Sequence, residues 1–294
     1  MGNLHETLGI NELKDKSGNI WKALLAEFLG NFLLNYFGCA SVVSFEGDSN
    51  QHSFVLIALT FGLTIFIVVQ SLQINYGQCL KYDANNCAWT CEWGPYQSSS
   101  HSGDAGYGEY FDYQGGLYIV VQCLGALAGS AVLKSLTPEA LHENGLGITK
   151  IAKTLEPVQG FGMEFFLRVS IQGFVLVLTV CGVCDKNRPD AKPAGPLAIG
   201  LAVCLGHLAA IGYTGSSMNP ARSFGSAVIA GDWENHWIYW VGPILGGVAA
   251  ALLYKNAFKP PSLGPLKIIE RYTTVATDEK ELRRLDGAKG NDLA

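Results

Sequence analysis

Long apolar stretches constrain this chain more than any other feature of its sequence. A helix that crosses the hydrocarbon core of a bilayer needs about 20 mostly apolar residues. Six stretches meet this requirement, at residues 21–44, 54–72, 117–136, 162–184, 194–213 and 236–255. The sequence therefore predicts an all-α membrane protein with six transmembrane helices. We expect a membrane domain at residues 21–256, preceded by an N-terminal tail at 1–20 and followed by a C-terminal tail at 257–294.

Charged residues are few and lie mainly outside these stretches. They make up 15% of the chain, against roughly 25% in soluble domains. Lysine and arginine concentrate in both tails and in the loop after the fourth stretch, whereas the loop after the first stretch has neither. Because cytoplasmic loops carry the excess of these residues, we expect both termini in the cytoplasm. The location that we expect is the plasma membrane.

The composition also argues against several classes of function. The net charge of −5 provides no basic surface for nucleic acid. The eight cysteines lack the paired clusters or histidines of a zinc site. The sequence shows no nucleophile with a matching base. We therefore predict no enzymatic activity, no cofactor and no metal.

The two halves of the chain resemble each other. The segment "LYIVVQCLGALAG" in the third stretch aligns with "IYWVGPILGGVAA" in the sixth, which pairs Tyr118 with Tyr239. Glu27 in the first stretch similarly pairs with Glu164 in the fourth. Three spans in each half would give the halves opposite orientations, so this pattern predicts an inverted repeat. The alternative is that small residues recur because membrane helices pack closely.

A polar motif, "GYTGSSMNPARSFGSAV", follows the fifth stretch. Asn219 is a favourable N-cap and Pro220 is tolerated at a first helical position, so a short helix is predicted at residues 219–229. An Asn-Pro pair alone could equally open a helix on the surface. Arg222 favours the membrane, because a charge between apolar segments usually faces a water-filled cavity.

These segments resemble the aquaporins, the major intrinsic protein family, and in particular their water-selective branch. The resemblance extends to "LLAEFLGNFLLNYFGCAS", "FGLTIFIVVQSL", "YIVVQCLGALAGSAVLKSLTP" and "GMEFF", and so covers all six stretches. It implies a homotetramer of six-helix barrels, each with its own passive pore for water. It also implies two re-entrant half-helices that meet at mid-membrane, each opened by Asn-Pro-Ala.

The resemblance assigns roles to individual residues of this chain. The outer pore constriction would consist of Phe61, His207, Ser216 and Arg222. The retained half-helix would begin with Asn219, Pro220 and Ala221, and Asn219 would donate its amide to passing water. Phe61 would narrow the path to about one water, and His207 in place of glycine would favour water over glycerol. Glu27 and Glu164 would be structural glutamates.

The second Asn-Pro-Ala that the family requires is absent between the second and third stretches. Residues 73–116 are polar and acidic there. Read one base later, the codons permitted for part of this segment can spell His-Ile-Asn-Pro-Ala-Val-Thr. Our hypothesis is that residues 88 to about 115 are an out-of-frame translation of the pore segment and that residues 73–87 are an insertion. An evolved cytoplasmic regulatory loop is the alternative.

This segment lowers the conductance that we expect. Its acidic residues make burial in a membrane costly, so we expect residues 73–116 to be disordered outside the barrel and the first half-helix to be disrupted. The chain would then be an impaired water channel. The alternative is a non-conducting or regulatory subunit that assembles with intact aquaporins, and a glycerol channel fits less well.

Overall fold

The computed structural model describes residues 19–43, 53–72, 113–150, 173–185 and 188–260. The chain divides into two units, residues 1–258 and 259–294, and the description below concerns the first. The predictions made for residues 73–112, for Glu164 and for the tails lie outside the described residues or are not tested by them.

Within these ranges the secondary structure is entirely helical. The α-helices are α1 Asn19–Ala40, α2 Phe54–Leu72, α3 Tyr113–Leu136, α4 Gly173–Cys184, α5 Gly195–Thr214, α6 Pro220–Ala230 and α7 Ile238–Leu253. Two 3₁₀ helices, Glu139–Gly147 and Pro189–Ala194, and a π-helical turn, Tyr254–Phe258, complete the described elements. The predicted all-α fold class is confirmed.

Five helical stretches of the described residues are long and apolar enough to cross a membrane. They are Ile20–Ala40, Phe54–Leu72, Gly116–Leu136, Asp190–Thr214 and Ile238–Phe258. Large apolar side chains such as Leu56 and Leu201 are more than half exposed on them, as expected for surfaces that face lipid. The described part of the predicted fourth span is shorter, Gly173–Cys184, and residues 162–172 are outside the described ranges.

One boundary corrects the sequence prediction. Helix α3 begins at Tyr113, whereas the prediction placed residues up to 116 in a disordered segment. A helix is held by its backbone hydrogen bonds and can therefore continue through polar residues beyond the apolar stretch. The predicted disorder is wrong for residues 113–116.

Small residues allow helices α2 and α5 to touch through their backbones. A Cβ atom on Gly62 would lie 2.5 Å from the carbonyl oxygen of Gly200, and a Cβ on Gly200 would lie 2.6 Å from that of Gly62. Real Cβ atoms essentially never approach that closely. Close approach at small residues is typical of helix association in membranes, where van der Waals contact replaces the hydrophobic effect.

A polar stripe on α1 contacts α3 and α6. Glu27, Asn31 and Asn35 are spaced four residues apart and so share one face. The Glu27 carboxylate accepts a hydrogen bond from Gln122 Nε2 at 2.9 Å. Asn35 Nδ2 lies 2.9 Å from both the carbonyl oxygen of Ala126 and Ser130 Oγ. These buried bonds hold α1 against α3 without exposing polar groups to lipid.

Candidate functional site: a half-helix with a buried arginine

Helix α6 begins at a capped turn inside the bundle. Asn219 has extended backbone angles, φ −129° and ψ 111°, and its Oδ1 accepts a hydrogen bond from the backbone N–H of Arg222 at 3.2 Å. Pro220 occupies the first helical turn, where its missing N–H costs nothing. The 11 residues of α6 span about 16 Å, roughly half of a bilayer core.

The body of α6 packs closely on α3. A Cβ atom on Gly225 would lie 2.5 Å from the carbonyl carbon of Ala126 and 2.7 Å from the backbone nitrogen of Leu127. The amide of Asn35 also lies 3.2 Å from the carbonyl oxygen of Arg222. Helices α1 and α3 therefore fix the position of the first turns of α6.

The turn before α6 has a left-handed backbone. Gly215 has a φ of 71° and Ser216 a φ of 53°, a region that costs a residue with a side chain about 1–2 kcal/mol. The Ser216 side chain is 2% exposed and donates to the carbonyl oxygen of Gly206 at 3.4 Å. Its hydroxyl is thus hydrogen-bonded to α5.

Arg222 is buried in the first turn of α6 and is 6% exposed. Its Nη1 donates to Thr149 Oγ1, and that oxygen lies 3.1 Å from Ser223 Oγ. Among the described residues the guanidinium forms no salt bridge, and its Nε has no hydrogen-bond partner. Burying a positive charge without a carboxylate partner costs free energy. We therefore expect the guanidinium to bind water or a permeating molecule.

The arginine, Phe61 and His207 form one stack. The guanidinium carbon lies 5.0 Å from the centroid of the Phe61 ring, within the range of a cation–π contact. The Phe61 ring in turn stacks on the His207 ring, with centroids 4.4 Å apart and an interplanar angle of 19°. His207 Nδ1 lies 3.0 Å from the carbonyl oxygen of Val203, and since a carbonyl accepts only, this nitrogen carries the proton.

A cavity of about 280 Å³ lies beside this stack. Phe61 and Arg222 line it together with Lys150, with Val42 after the end of α1 and with Phe54 and Ile57 at the start of α2. The charge distribution in the sequence predicts this end of the bundle to be extracellular. The lining of the cavity is mostly apolar, and Arg222 and Lys150 are the charged residues in it.

Comparison with known proteins identifies the family. The family model for the major intrinsic proteins matches residues 14–76 and 109–254. The chain belongs to this family. It is 38% identical to aquaporin-4 of Mus musculus over 88% of this chain and 74% of that protein. It is 34% identical to aquaporin FA-CHIP of Pelophylax lessonae, over 92% of this chain and 94% of that protein.

The fold is similar to that of a solved family member. The aquaglyceroporin from Plasmodium falciparum superposes with a TM-score of 0.59 over 81% of this chain and 96% of that one, at 18% identity. The similarity supports the all-α membrane fold. The gap in the family match, residues 77–108, falls inside the segment 73–116 that the sequence analysis singled out, while the out-of-frame origin of that segment stays a prediction.

The predicted site residues of this family member are brought together in part. Arg222, Phe61 and His207 are in contact, whereas the Ser216 hydroxyl is directed to a carbonyl of α5. We expected Phe61 to leave a path about one water wide. Two rings in face-to-face contact leave no room for water between them in this conformation.

The sequence analysis missed Thr149, which accepts from the arginine. Thr149 follows a segment in which Gly145, Leu146 and Gly147 have positive φ values of 80°, 46° and 76°. The glycines in "NGLGIT" predict a turn, but they give no indication that the next threonine reaches α6.

An ion pair joins Lys150, which lines the cavity, to Asp232 after the end of α6. Lys150 Nζ lies 2.6 Å from Asp232 Oδ2, with the lysine side chain 60% exposed. The hydrogen bond from Lys150 lowers the pKa of Asp232 below its ordinary value, so this carboxylate stays charged near neutral pH. An exposed pair of this kind contributes little to stability.

Lower pH is expected to destabilise the segment between α6 and α7. His236 Nε2 accepts from Trp240 Nε1 at 3.0 Å, and burial lowers the pKa of His236 below its ordinary value near 6.5. The unfolded chain therefore binds this proton more readily, so stability is highest above about pH 6.5 and falls as the pH drops below it. Thermal unfolding midpoints in detergent between pH 7.5 and 5 would check this.

The matched control is His236→Gln, whose carbonyl oxygen can still accept from Trp240. We expect the unfolding midpoint of this variant to depend less on pH over the same range. An equal slope in both proteins would mean that another group is responsible.

Proposed function

We propose that this chain forms a passive transmembrane channel for water, with its outer constriction at Phe61, His207, Ser216 and Arg222. The observation that carries the proposal is the buried guanidinium of Arg222 at the start of a half-helix, stacked on Phe61 beside a 280 Å³ cavity. Charged groups inside membrane domains usually face a water-filled path. The relatives named as aquaporins support water as the permeant.

The geometry suggests how the channel would select. Separating the Phe61 ring from His207 would open a path lined by the guanidinium of Arg222, which donates, by Nε2 of His207, which accepts, and by the face of Phe61. Such a path suits single waters and disfavours glycerol. The uncompensated charge of Arg222 and the positive end of the α6 dipole would oppose protons and cations. Asn219, Pro220 and Ala221 would fix where that dipole ends.

Family resemblance and the charge distribution are the support for what we propose about assembly and location. We include in the proposal a homotetramer in the plasma membrane with both termini in the cytoplasm. Its five apolar helical stretches make the chain an integral membrane protein, and membership of a family of channels agrees with the prediction of no enzymatic activity.

A second candidate is a non-conducting or regulatory subunit that assembles with intact aquaporins. The contact between the Phe61 and His207 rings favours it, and so does the stretch of 77–108 that the family model does not match. An impaired channel would be intermediate between the two candidates in water permeability. Replacing Phe61 distinguishes between them experimentally.

The test is osmotic water permeability of proteoliposomes that contain the full chain. We expect Phe61→Ala to raise permeability about tenfold, because it removes the ring that fills the space between His207 and Arg222, and to admit glycerol. The matched control is Ile57→Ala, since Ile57 is a buried residue of the same helix that lines the same cavity but lies outside the stack. We expect that variant to stay within about twofold of the unmodified chain.

Vesicles with Phe61→Ala that swell no faster than empty liposomes, while the protein remains folded, would contradict a water channel. That result would favour the non-conducting subunit. Co-reconstitution with an intact aquaporin would then show whether this chain lowers its permeability.

A further inference from the structure

The amide of Asn219 is already hydrogen-bonded inside the protein. Asn219 Nδ2 donates to Asn31 Oδ1 of helix α1 at 2.9 Å. Asn31 Nδ2 in turn donates to the carbonyl oxygen of Glu27 at 3.1 Å. Asn31 is 7% exposed, and Asn219 is partly exposed.

The ends of this hydrogen-bond chain fix the direction of every bond in it. The backbone N–H of Arg222 can only donate, so the oxygen of the Asn219 amide must face it. The carbonyl of Glu27 can only accept, so the nitrogen of the Asn31 amide must face it. The bond between the two side chains can therefore run in one direction, from Asn219 to Asn31.

We infer that Asn31 is a permeation-determining residue, which competes with water for the donor of Asn219. This inference rests on the proposed function. Asn219 has two amide hydrogens, and the one that bonds Asn31 is not offered to a passing molecule. The start of the half-helix would then bind passing water less strongly than its Asn-Pro-Ala motif suggests. The cause would be the side chain of Asn31 on α1.

The polar stripe on α1 separates this role from simple packing. The amide nitrogen of Asn35, one turn further along, lies within hydrogen-bond distance of the carbonyl oxygen of Arg222 and of two acceptors on α3, which its two hydrogens share. Asn35 thereby holds α6 in place. Among the residues that the structure describes, Asn31 makes no hydrogen bond to α3, and its hydrogen bond to α6 is the one to the amide of Asn219. Replacing Asn31 should therefore change the availability of the Asn219 amide and leave the α1–α3 contact intact.

The test compares three replacements of Asn31 in full-length protein in liposomes. Asn31→Leu removes the acceptor at similar size, Asn31→Ala removes the acceptor and opens space, and Asn31→Asp keeps an acceptor of the same shape. All are measured on the unmodified chain and on Phe61→Ala, in which the outer stack is opened. In the Phe61→Ala chain we expect the Leu and Ala variants to raise water permeability about fivefold, the equivalent of one ordinary hydrogen bond, and Asp to give no rise.

A double-mutant cycle tests whether the effect acts through Asn219. Asn219→Ser retains a good N-cap oxygen but lacks the amide donor. On that background Asn31→Leu should no longer change water permeability. The shifts in unfolding temperature caused by the two single substitutions should not add up in the double variant. Additive effects would overturn the inference.

Two further outcomes would also overturn it. A rise in water permeability with Asn31→Ala but not with Asn31→Leu would mean that the space around this side chain, and not its hydrogen bond to Asn219, limits permeation. Unchanged permeability for Asn31→Leu on both backgrounds would mean that Asn31 has no part in it. Conduction by Phe61→Ala then decides the proposed function separately.

Discussion

Replacing Gly225 with alanine is expected to destabilise the folded chain by about 3 kcal/mol, at the upper end of the usual cost of overpacking. The new methyl group would lie 2.5 Å from the carbonyl carbon of Ala126, and its three nearest neighbours are all backbone atoms of α3. Backbone cannot rotate away as a side chain can, so α6 must move off α3. The measurement is the midpoint of thermal or denaturant unfolding in detergent.

The same substitution at Gly212 of α5 is the matched control. A methyl group there would lie 3.5 Å from the ring of Phe54, an ordinary contact. Because alanine is favoured over glycine inside a helix by about 1 kcal/mol, we expect this variant to be as stable as the unmodified chain or slightly more stable. Equal stability of the two variants would show that α6 does not depend on its close contact with α3.

Replacing Arg222 with methionine is expected to raise proton flux through the opened channel at least about tenfold. A tenfold change needs only about 1.4 kcal/mol of the barrier, whereas a unit charge about 4 Å from a passing cation contributes about 4 kcal/mol at an effective dielectric constant of 20. The measurement is proton entry into liposomes that contain a pH-sensitive dye, on the Phe61→Ala background.

Lys150→Met provides the matched control, because Lys150 lines the same cavity and loses the same charge. Its side chain is 60% exposed and paired with Asp232, so solvent and the carboxylate already screen it. We expect proton flux to change less than about twofold. A similar rise in proton flux in both variants would assign the barrier to protons to the net charge around the cavity and not to the buried guanidinium.

The sequence was sufficient to predict the start of the half-helix. Asn219 caps it and Pro220 opens it because both residues act on backbone groups within one turn. Such local effects do not require knowledge of the rest of the fold. The same holds for the membrane-spanning helices, because the bilayer sets their length and composition. The ends of a helix are predicted less well from apolar composition, as the start of α3 at Tyr113 shows.

The contacts around the arginine could not be predicted in this way. Thr149 lies 73 positions before Arg222 in the chain, and Asn31 lies 188 positions before Asn219. No spacing rule connects residues so far apart. The family resemblance named Phe61, His207 and Arg222 as neighbours, but whether the two rings touch or leave a water between them depends on side-chain conformation in the packed bundle.

The sequence alone thus determined that this is an all-α membrane protein of the aquaporin type with one recognisable half-helix, because hydrophobic length and capping are local properties. Tertiary structure alone decided that Phe61 lies against both His207 and Arg222 and that Asn31 holds the amide of Asn219. The reason is that these contacts join side chains from different helices. Their distances are fixed by how closely glycine-lined helices approach each other.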